Sequence, residues 1–334
     1  MTATAPAFQE ANLSSKPIRD LRLTIAGTPL ERILADFGRE LDRAGIRRVR
    51  PHFYLSTEWG VPWGTVAIAI PFYLARMDLT HLHAERSGFV EGTSPADILR
   101  YLRHEMGHVV NYAYELYERE EWVKHFGSIN QPYVEEYRPQ PFSRRFVRHL
   151  PGWYAQKHPD EDWAETFAVW MTPGLDWRAE YAGWPTAVAK LEYCDRTMRE
   201  LADRDPSVIS TELDEDVGEL PYTLEEYYRT TGPTDEFPPG LDGALRTVFE
   251  GSDDGSAKAA ALIRRLERPL MANVYRWTGH FPERTRALLR HLARRADELK
   301  LAYPEAHEAE VSLALTTFVT ALAMNHVYRG EYWK

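Results

Sequence analysis

The residues of this chain most suited to chemistry are two histidines four positions apart, with a glutamate beside the first. They are His104, Glu105 and His108, in the stretch HEMGH. Residues i and i+4 of an α-helix project from one face, so two imidazoles at this spacing can reach one metal ion. In the H-E-x-x-H pattern the glutamate is placed to act as general base. The pattern predicts a zinc site, against the alternative of a helix that carries two histidines by chance.

The helix that must carry this pair, over residues 98–117, indicates which way the histidines point. At about 100° per residue, its apolar side chains form one stripe. The stripe consists of Leu99, Leu102, Met106, Val109, Ala113 and Leu116. His104 and His108 lie on the opposite side, with Glu105 at its flank. We therefore expect the stripe to pack in the core and the histidines to face polar groups.

Two histidines leave a zinc ion in need of a third protein ligand and an open position for water. In the metzincin pattern the third ligand is a histidine six residues after the second, with a glycine between them. Here those two positions hold Tyr114 and Asn111. The third ligand must come from another part of the chain.

A second predicted helix, HPDEDWAETFAVW at residues 158–170, offers a suitable carboxylate. Glu161 and Glu165 share one face at i, i+4, and the small residues Ala164 and Ala168 flank them, which permits close approach of another helix. Glu161 can then bind the metal while Glu165 orients a ligating histidine. The alternative is an acidic, solvated first turn that complements the helix dipole.

Taken together, HEMGH and, about fifty residues later, YAQKHPDEDWAETFAVW resemble the gluzincin branch of zinc metallopeptidases. The chain is similar to the anthrax lethal-factor-like peptidases and to the bacterial zinc-binding metallopeptidases. The resemblance implies that His104 and His108 bind zinc, that Glu105 is the base, and that Glu161 is the third ligand. Glu165 matches the second glutamate of the E-x-x-A-E segment of these families.

The resemblance also implies a role for a tyrosine. In lethal-factor-like enzymes a tyrosine seven residues before the third ligand stabilises the oxyanion, and Tyr154 has this spacing. Tyr114, Tyr133 and Tyr137 are alternatives for this role, and aromatic packing is another explanation for Tyr154. The G-x-M-E-N signature of gluzincin aminopeptidases is absent, which argues against trimming of substrate N-termini.

The composition limits the classes to which the protein can belong. The 334 residues are 44% hydrophobic and carry a net charge of -10, which indicates a globular chain without a general basic field for nucleic acid. The single cysteine, Cys194, excludes an intramolecular disulfide framework. The N-terminus shows no secretory signal, and no apolar run approaches the roughly 20 residues of a membrane helix. We expect a soluble, cytoplasmic protein that meets no membrane.

The order of predicted elements indicates an α+β fold. A zincin-like catalytic domain with a small sheet and an active-site helix is expected over 1–205. An acidic linker or insert follows over 206–255, with a lid over the cleft as an alternative. An α-helical C-terminal region is expected over 256–334. Its basic segment RTRALLRHLARRADEL, at 284–299, is typical of a solvated helix.

These features predict a zinc-dependent metallopeptidase that acts on a peptide or protein substrate. Zinc would lower the pKa of a coordinated water to about 7 and polarise the scissile carbonyl. Glu105 would accept the water proton, and Tyr154 would donate a hydrogen bond to the oxyanion. Two alternatives are a zinc-binding recognition protein without proteolytic activity, and a zinc amidohydrolase that acts on a small acyl-amino substrate.

Overall fold

The fold is α+β and mainly helical, as the sequence predicts. The computed structural model describes residues 15–87, 89–134, 137–229, 237, 240–249 and 256–332. The helices in this part of the chain are α1 (Pro29–Arg43), α2 (Met77–Arg86), α3 (Pro95–Ala113), α4 (Glu120–Phe126), α5 (Pro159–Met171), α6 (Trp177–Glu180), α7 (Pro185–Leu201), α8 (Leu224–Arg229), α9 (Leu241–Val248), α10 (Ala259–Thr278), α11 (Pro282–Glu298) and α12 (Glu308–Arg329). The strands are β1 (His52–Ser56), β2 (Ala67–Pro71), β3 (Ser256–Lys258) and β4 (Ala302–Pro304), and 3-10 turns cover Ile18–Leu21, Phe72–Ala75, Leu116–Glu118, Pro151–Gln156 and Glu305–His307.

A first core lies around the parallel pair β1–β2, with α1, α2, α3 and α5 packed beside it. The strands pair from His52 with Ala67 to Ser56 with Pro71. Strand β2 is buried along its whole length. It ends at Pro71, because proline has no amide proton for the sheet. On its other side the Ala69 amide donates to the carbonyl of Gly60 at 2.8 Å.

Helix α3 begins at Pro95 and ends at Ala113. Ser94 caps the helix by accepting a hydrogen bond from the Asp97 amide at 3.2 Å, and Pro95 occupies the first turn. The apolar stripe is buried in the first core from Leu102 to Leu116, and Leu99 at its start is partly buried. The opposite, histidine-bearing face is buried as well, because α5 covers it.

Helices α3 and α5 approach each other backbone to backbone. A Cβ atom added to Gly107 would lie 2.7 Å from the Cα atom of Ala164, closer than side-chain atoms normally come. The indole of Trp163 donates to the carbonyl of Gly107 at 2.8 Å and ties the helices together at the same level. The small residues expected to permit close approach therefore do so, with a glycine as the partner.

A second core is formed by α9–α12 and the short antiparallel pair β3–β4. Its centre consists of fully buried leucines, among them Leu289, Leu292 and Leu315. The two cores meet where the 3-10 turn Pro151–Gln156 packs against α10.

Two glycines make this junction possible. A Cβ atom at Gly152 would lie 2.5 Å from the ring of Tyr275, and one at Gly279 would lie 3.0 Å from the carbonyl oxygen of Gly152. Both glycines have positive φ, a conformation in which other residues are strained. The second core is thereby held tightly against the turn that carries Tyr154.

Helix α12 corrects one expectation from the sequence. The span Glu305–Arg329 is long enough and apolar enough to cross a membrane by length and composition, with 28% of its apolar window buried. The expectation that no apolar run reaches this length is therefore wrong. One such helix is weak evidence for a membrane, because core helices pass the same test. Leu315, Val319 and Leu322 of α12 pack in the second core, and the absence of a membrane partner stays a prediction.

The acidic segment 206–255 is only partly described, since residues 230–236, 238–239 and 250–255 lie outside the described residues. Its first half packs on the first core through Val217, Leu220 and Leu224. The Val66 amide donates to the carbonyl of Ser210 at 2.7 Å, which adds this segment to the edge of the sheet region. The domain boundaries expected from the sequence stay predictions.

Candidate metal centre

Three donor atoms from α3 and α5 meet at one point. The Nε2 atom of His104 lies 3.0 Å from Oε2 of Glu161 and 3.2 Å from Nε2 of His108. Nε2 of His108 lies 3.3 Å from the same Glu161 oxygen. The three residues form a buried group able to hold a metal ion. The structure thus brings together His104, His108 and Glu161, the three ligands predicted from the sequence.

The spacing of these donor atoms suits zinc. Zinc bonds nitrogen and carboxylate oxygen at about 2.0–2.2 Å in tetrahedral sites, which separates the ligand atoms by about 3.3–3.6 Å. The observed separations of 3.0–3.3 Å are within a few tenths of an ångström of that geometry. Two imidazoles and a carboxylate also match the donor set of catalytic zinc sites, which keep a fourth position open. The residues present therefore fit a zinc ion.

Each candidate histidine ligand has a carboxylate oxygen 3.0 Å from its other ring nitrogen. Nδ1 of His104 lies 3.0 Å from Oε1 of Glu165, as the sequence predicts for a residue that orients a ligand. The carboxylate of Glu165 is fully buried and also accepts the backbone amides of His149 and Leu150, at 2.8 and 3.0 Å. Carboxylate contacts of this kind fix the tautomer and ring orientation of a metal-binding histidine.

Asp160 has the corresponding position beside His108, and sequence reasoning missed it. Its Oδ2 atom lies 3.0 Å from Nδ1 of His108. The Asp160 carboxylate also accepts hydrogen bonds from the side-chain amide of Asn111 at 2.7 Å and from the Tyr112 hydroxyl at 2.5 Å. From the sequence, Asp160 is expected only to belong to the acidic first turn of α5. The available signal was the polar set His108, Asn111 and Tyr112 at i, i+3 and i+4, which needs a shared polar partner.

The buried charges around His104 and His108 favour the binding of a cation. Glu105, Asp160, Glu161 and Glu165 are all at most 6% exposed, around two imidazoles. Burial alone would lower the pKa of His104, but hydrogen bonds to Glu161 and Glu165 raise it to about 9. Buried carboxylates are costly unless they are paired or bind a metal ion. A divalent cation between these groups would offset that cost.

Glu105 lies at the wall of the cleft beside the candidate ligands and is 4% exposed. Burial raises the pKa of its carboxyl above the usual value. A raised carboxyl pKa moves the group toward the range in which it can both accept and return a proton near neutral pH.

Two tyrosines, not one, approach the metal group. The Tyr133 hydroxyl donates to Oε1 of Glu161 at 2.6 Å, and it also hydrogen-bonds to Tyr154. The Tyr154 ring lies with its centroid 5.5 Å from that of His104. The other two candidates lie elsewhere, since Tyr137 donates to the Gly152 carbonyl and Tyr114 donates to the Arg204 carbonyl. Burial raises the pKa of Tyr154 well above its usual range, so its phenol keeps the proton and can donate.

The metal group opens into a cleft of about 1450 Å³. One wall comes from the first core and includes Trp59, Trp63 and Tyr112. The other wall comes from α10 and α11 of the second core, including Tyr275 and Phe281. The helical C-terminal region, which the sequence left without a role, thus lines the same cleft as the candidate ligands.

Comparison with known proteins agrees with this geometry. Residues 65–247 match the family described as "Putative zinc-binding metallo-peptidase". The match includes α3 and α5, and with them every residue of the metal group. A search of curated proteins and a search of solved structures each found no match. Because the matched region is more than half of the chain, the protein belongs to this zinc-binding metallopeptidase family.

Proposed function

We propose that the protein is a zinc-dependent peptidase of the gluzincin type, similar in its site to lethal-factor-like peptidases. The observation that carries the proposal is the convergence of His104, His108 and Glu161, with Glu105 at the wall of the adjoining cleft. A protein that only binds zinc has no need of a fourth carboxylate beside the ligands. A glutamate in this position supplies the proton transfers of hydrolysis.

Zinc held by His104, His108 and Glu161 would supply a Lewis acid that activates water and polarises a carbonyl. The remaining steps fall to side chains of the chain itself. Glu105 accepts a proton from the attacking water and returns it to the leaving amine. Tyr154 donates a hydrogen bond to the oxygen that becomes negative, a contribution of about 3–4 kcal/mol in comparable sites. Tyr154 is proposed for that role because it has the spacing of the tyrosine that stabilises the oxyanion in lethal-factor-like enzymes.

The size of the cleft favours peptides over small acyl-amino acids. Pockets for small molecules typically measure about 300–1,000 Å³. The cleft here measures about 1450 Å³ and is lined by side chains from both cores. A substrate that extends to either side of the scissile bond would use this space.

The test begins with metal analysis of the purified protein, for which we expect one zinc per chain. The Glu105→Gln variant should keep that zinc and lose at least about 100-fold in peptide hydrolysis, because only the proton acceptor is removed. Glu192→Gln, an exposed glutamate on α7, serves as the matched control and should behave as wild type.

Two results would contradict the proposal. Protein that neither contains nor acquires zinc on titration excludes the metal site. Wild-type hydrolysis by Glu105→Gln excludes Glu105 as the base. Hydrolysis of small acyl-amino acids but of no peptide would support the amidohydrolase alternative instead.

A further inference from the structure

The cleft wall contributed by α11 carries a concentrated positive charge. Arg286, Arg290 and Arg294 follow one another at intervals of four residues and all line the cleft. This spacing places them on one face of the helix. The opposite face, with Leu288, Leu289 and Leu292, is buried in the second core. The arginine face therefore points into the cleft rather than away from the molecule.

Arg86 from α2 and Arg229 from α8 extend this surface. Together with Arg286 and Arg290 they line a recess of about 450 Å³ whose arginines also line the main cleft. Among the described residues the recess contains two carboxylates, Glu85 and Glu225. Four guanidinium groups against two carboxylates leave it with a net positive charge.

Most of this charge is available to a ligand. Arg286 is committed to the fold, because it contacts Glu267 at 3.1 Å and donates to the backbone carbonyls of Glu85 and Arg86. Within the described residues, the ion pair of Arg290 is a 3.6 Å contact with Glu267, and its side chain is 58% exposed. Arg294 is exposed and makes no ion pair within the described part of the chain. Burial and the neighbouring Arg290 lower the pKa of Arg286, as expected for incompletely neutralised positive charges.

The two ends of the cleft thus differ in charge. The metal end has Glu105, Asp160 and Glu161 in its wall, whereas α11 contributes its arginines and one carboxylate, Glu283. We infer that Arg229, Arg290 and Arg294 form a subsite for acidic side chains, so that the enzyme prefers peptides with aspartate or glutamate near the scissile bond. This inference rests on the proposed peptidase function. Guanidinium groups bind carboxylates through paired hydrogen bonds, which makes them selective as well as attractive.

An acidic peptide suits this surface better than a nucleic acid does. A nucleic-acid strand would have to bring its phosphates past the carboxylates at the metal end, where they are repelled. The chain as a whole also carries a net charge of -10, which opposes a long polyanion. A peptide with a few acidic side chains places its negative charge only where the arginines are.

The experiment measures kcat/KM of the zinc-loaded full-length protein on peptide pairs that differ only by glutamate or glutamine at each position around the cleaved bond. We expect wild type to prefer at least one glutamate peptide by about tenfold, with the preference lost as NaCl rises from about 0.05 to 0.5 M. The R290E/R294E variant should reduce the glutamate-to-glutamine ratio by about tenfold or more.

Two variants control for folding and for general charge. R276E reverses an exposed arginine on α10 that does not line the cleft, and the ratio should stay at the wild-type value. R290K/R294K keeps the charges and should retain most of the preference. Circular dichroism and zinc content identify any variant that fails to fold. Equal cleavage of both peptides by wild type, or an unchanged ratio in R290E/R294E, would overturn the subsite.

A binding measurement separates this inference from the proposed function. Fluorescence anisotropy records binding of a labelled glutamate-rich peptide to the E105Q protein, which needs no hydrolysis. Arginine-dependent binding without any cleavage by wild type would contradict the peptidase but support the subsite. Cleavage of peptides without arginine-dependent binding would support the peptidase and contradict the subsite. Tighter binding of a labelled single-stranded oligonucleotide than of the acidic peptide would also overturn the inference.

Discussion

Two buried histidines, one in each core, show how differently the two regions treat the same side chain. His104 is 2% exposed and His280 is 1% exposed. His104 contacts the carboxylates of Glu161 and Glu165, and its pKa is raised to about 9 although burial alone would lower it. His280 contacts the hydroxyls of Thr285 and Tyr332, at 2.7 and 3.0 Å, and burial lowers its pKa to about 3.

The comparison of His104 with His280 shows that burial alone does not identify a metal-binding histidine. What distinguishes the first region is the set of carboxylates around its histidines, which favours positive charge at that place. The neutral hydroxyls around His280 instead join α11 to Tyr332, so this histidine has a structural role. The first region is built to hold a cation and the second to pack without one.

Removal of a ligand should have the largest effect. Glu161→Ala deletes one of three donor atoms, and we expect the protein to lose its stoichiometric zinc and its hydrolytic activity, since zinc needs three protein ligands at such a site. Metal analysis after dialysis and a peptide assay measure both. Glu192→Ala on α7 is the control. Full zinc content in Glu161→Ala would show that the ligand is another residue.

The orienting carboxylates come next. Asp160→Asn and Glu165→Gln keep the size of each side chain but remove the charge that faces His108 or His104. We expect zinc affinity to fall by about 10- to 100-fold in each variant, as is typical of such contacts. Competition with a chelator of known affinity measures the change, with exposed Asp203→Asn as control. An unchanged affinity in Asp160→Asn would remove this residue from the site.

Close packing of α3 and α5 can be tested with two glycines. Gly107→Ala places a methyl group 2.7 Å from Ala164 and should lower the free energy of unfolding by about 1–3 kcal/mol. Gly38→Ala in α1 has no atom within 4 Å of the new methyl group and should instead stabilise by about 0.5–1 kcal/mol. Chemical unfolding of the zinc-free proteins measures both. The same sign for both variants would contradict the close approach.

The smallest expected effect concerns the second core and pH. His280 has a folded-state pKa of about 3 against 6.5 for the exposed group, so the unfolded chain takes up the proton first as pH falls. This contribution to stability is present above pH 6.5 and decreases below it, by about 1 kcal/mol at pH 5.5.

The measurement compares variants rather than absolute stabilities. His280→Gln should be less stable at neutral pH but should lose less stability than wild type between pH 7.5 and 5.5. His81→Gln, at an exposed position, should keep the wild-type slope. Identical slopes for His280→Gln and wild type would show that His280 does not titrate in this way.

The features that could be predicted from the sequence are those that depend on residues close together in the chain. The helical spacing of His104 and His108, and of Glu161 and Glu165, is a local property, and it led to residues that the structure brings together. The role of Asp160 depends on how α3 and α5 cross, and the polar set on α3 indicates that a partner is needed but not which residue supplies it. Because the acidic first turn of α5 is already explained by the helix dipole, the contact of Asp160 with His108 was not predicted.

The basic helix α11 shows the same limit on a larger scale. Its leucines pack in the second core, and its arginines lie on the other face of the helix. Whether the charged face meets bulk water or a cleft depends on how the second core sits against the first. That placement is decided at the junction of Gly152 with Tyr275 and Gly279, which lie far from it in the chain, so that the contact leaves no periodic signal.

The contact between Gly107 and Ala164 has a consequence for ion size. It prevents α3 and α5 from moving closer, while the hydrogen bond from Trp163 to Gly107 resists their separation. The donor atoms are thus held within a few tenths of an ångström of the spacings that zinc requires. Calcium needs six to eight oxygen ligands at about 2.3–2.6 Å, which this narrow group of two nitrogens and one carboxylate cannot provide. The close approach that Gly107 allows is therefore expected to favour an ion of the size of zinc over one of the size of calcium at this group.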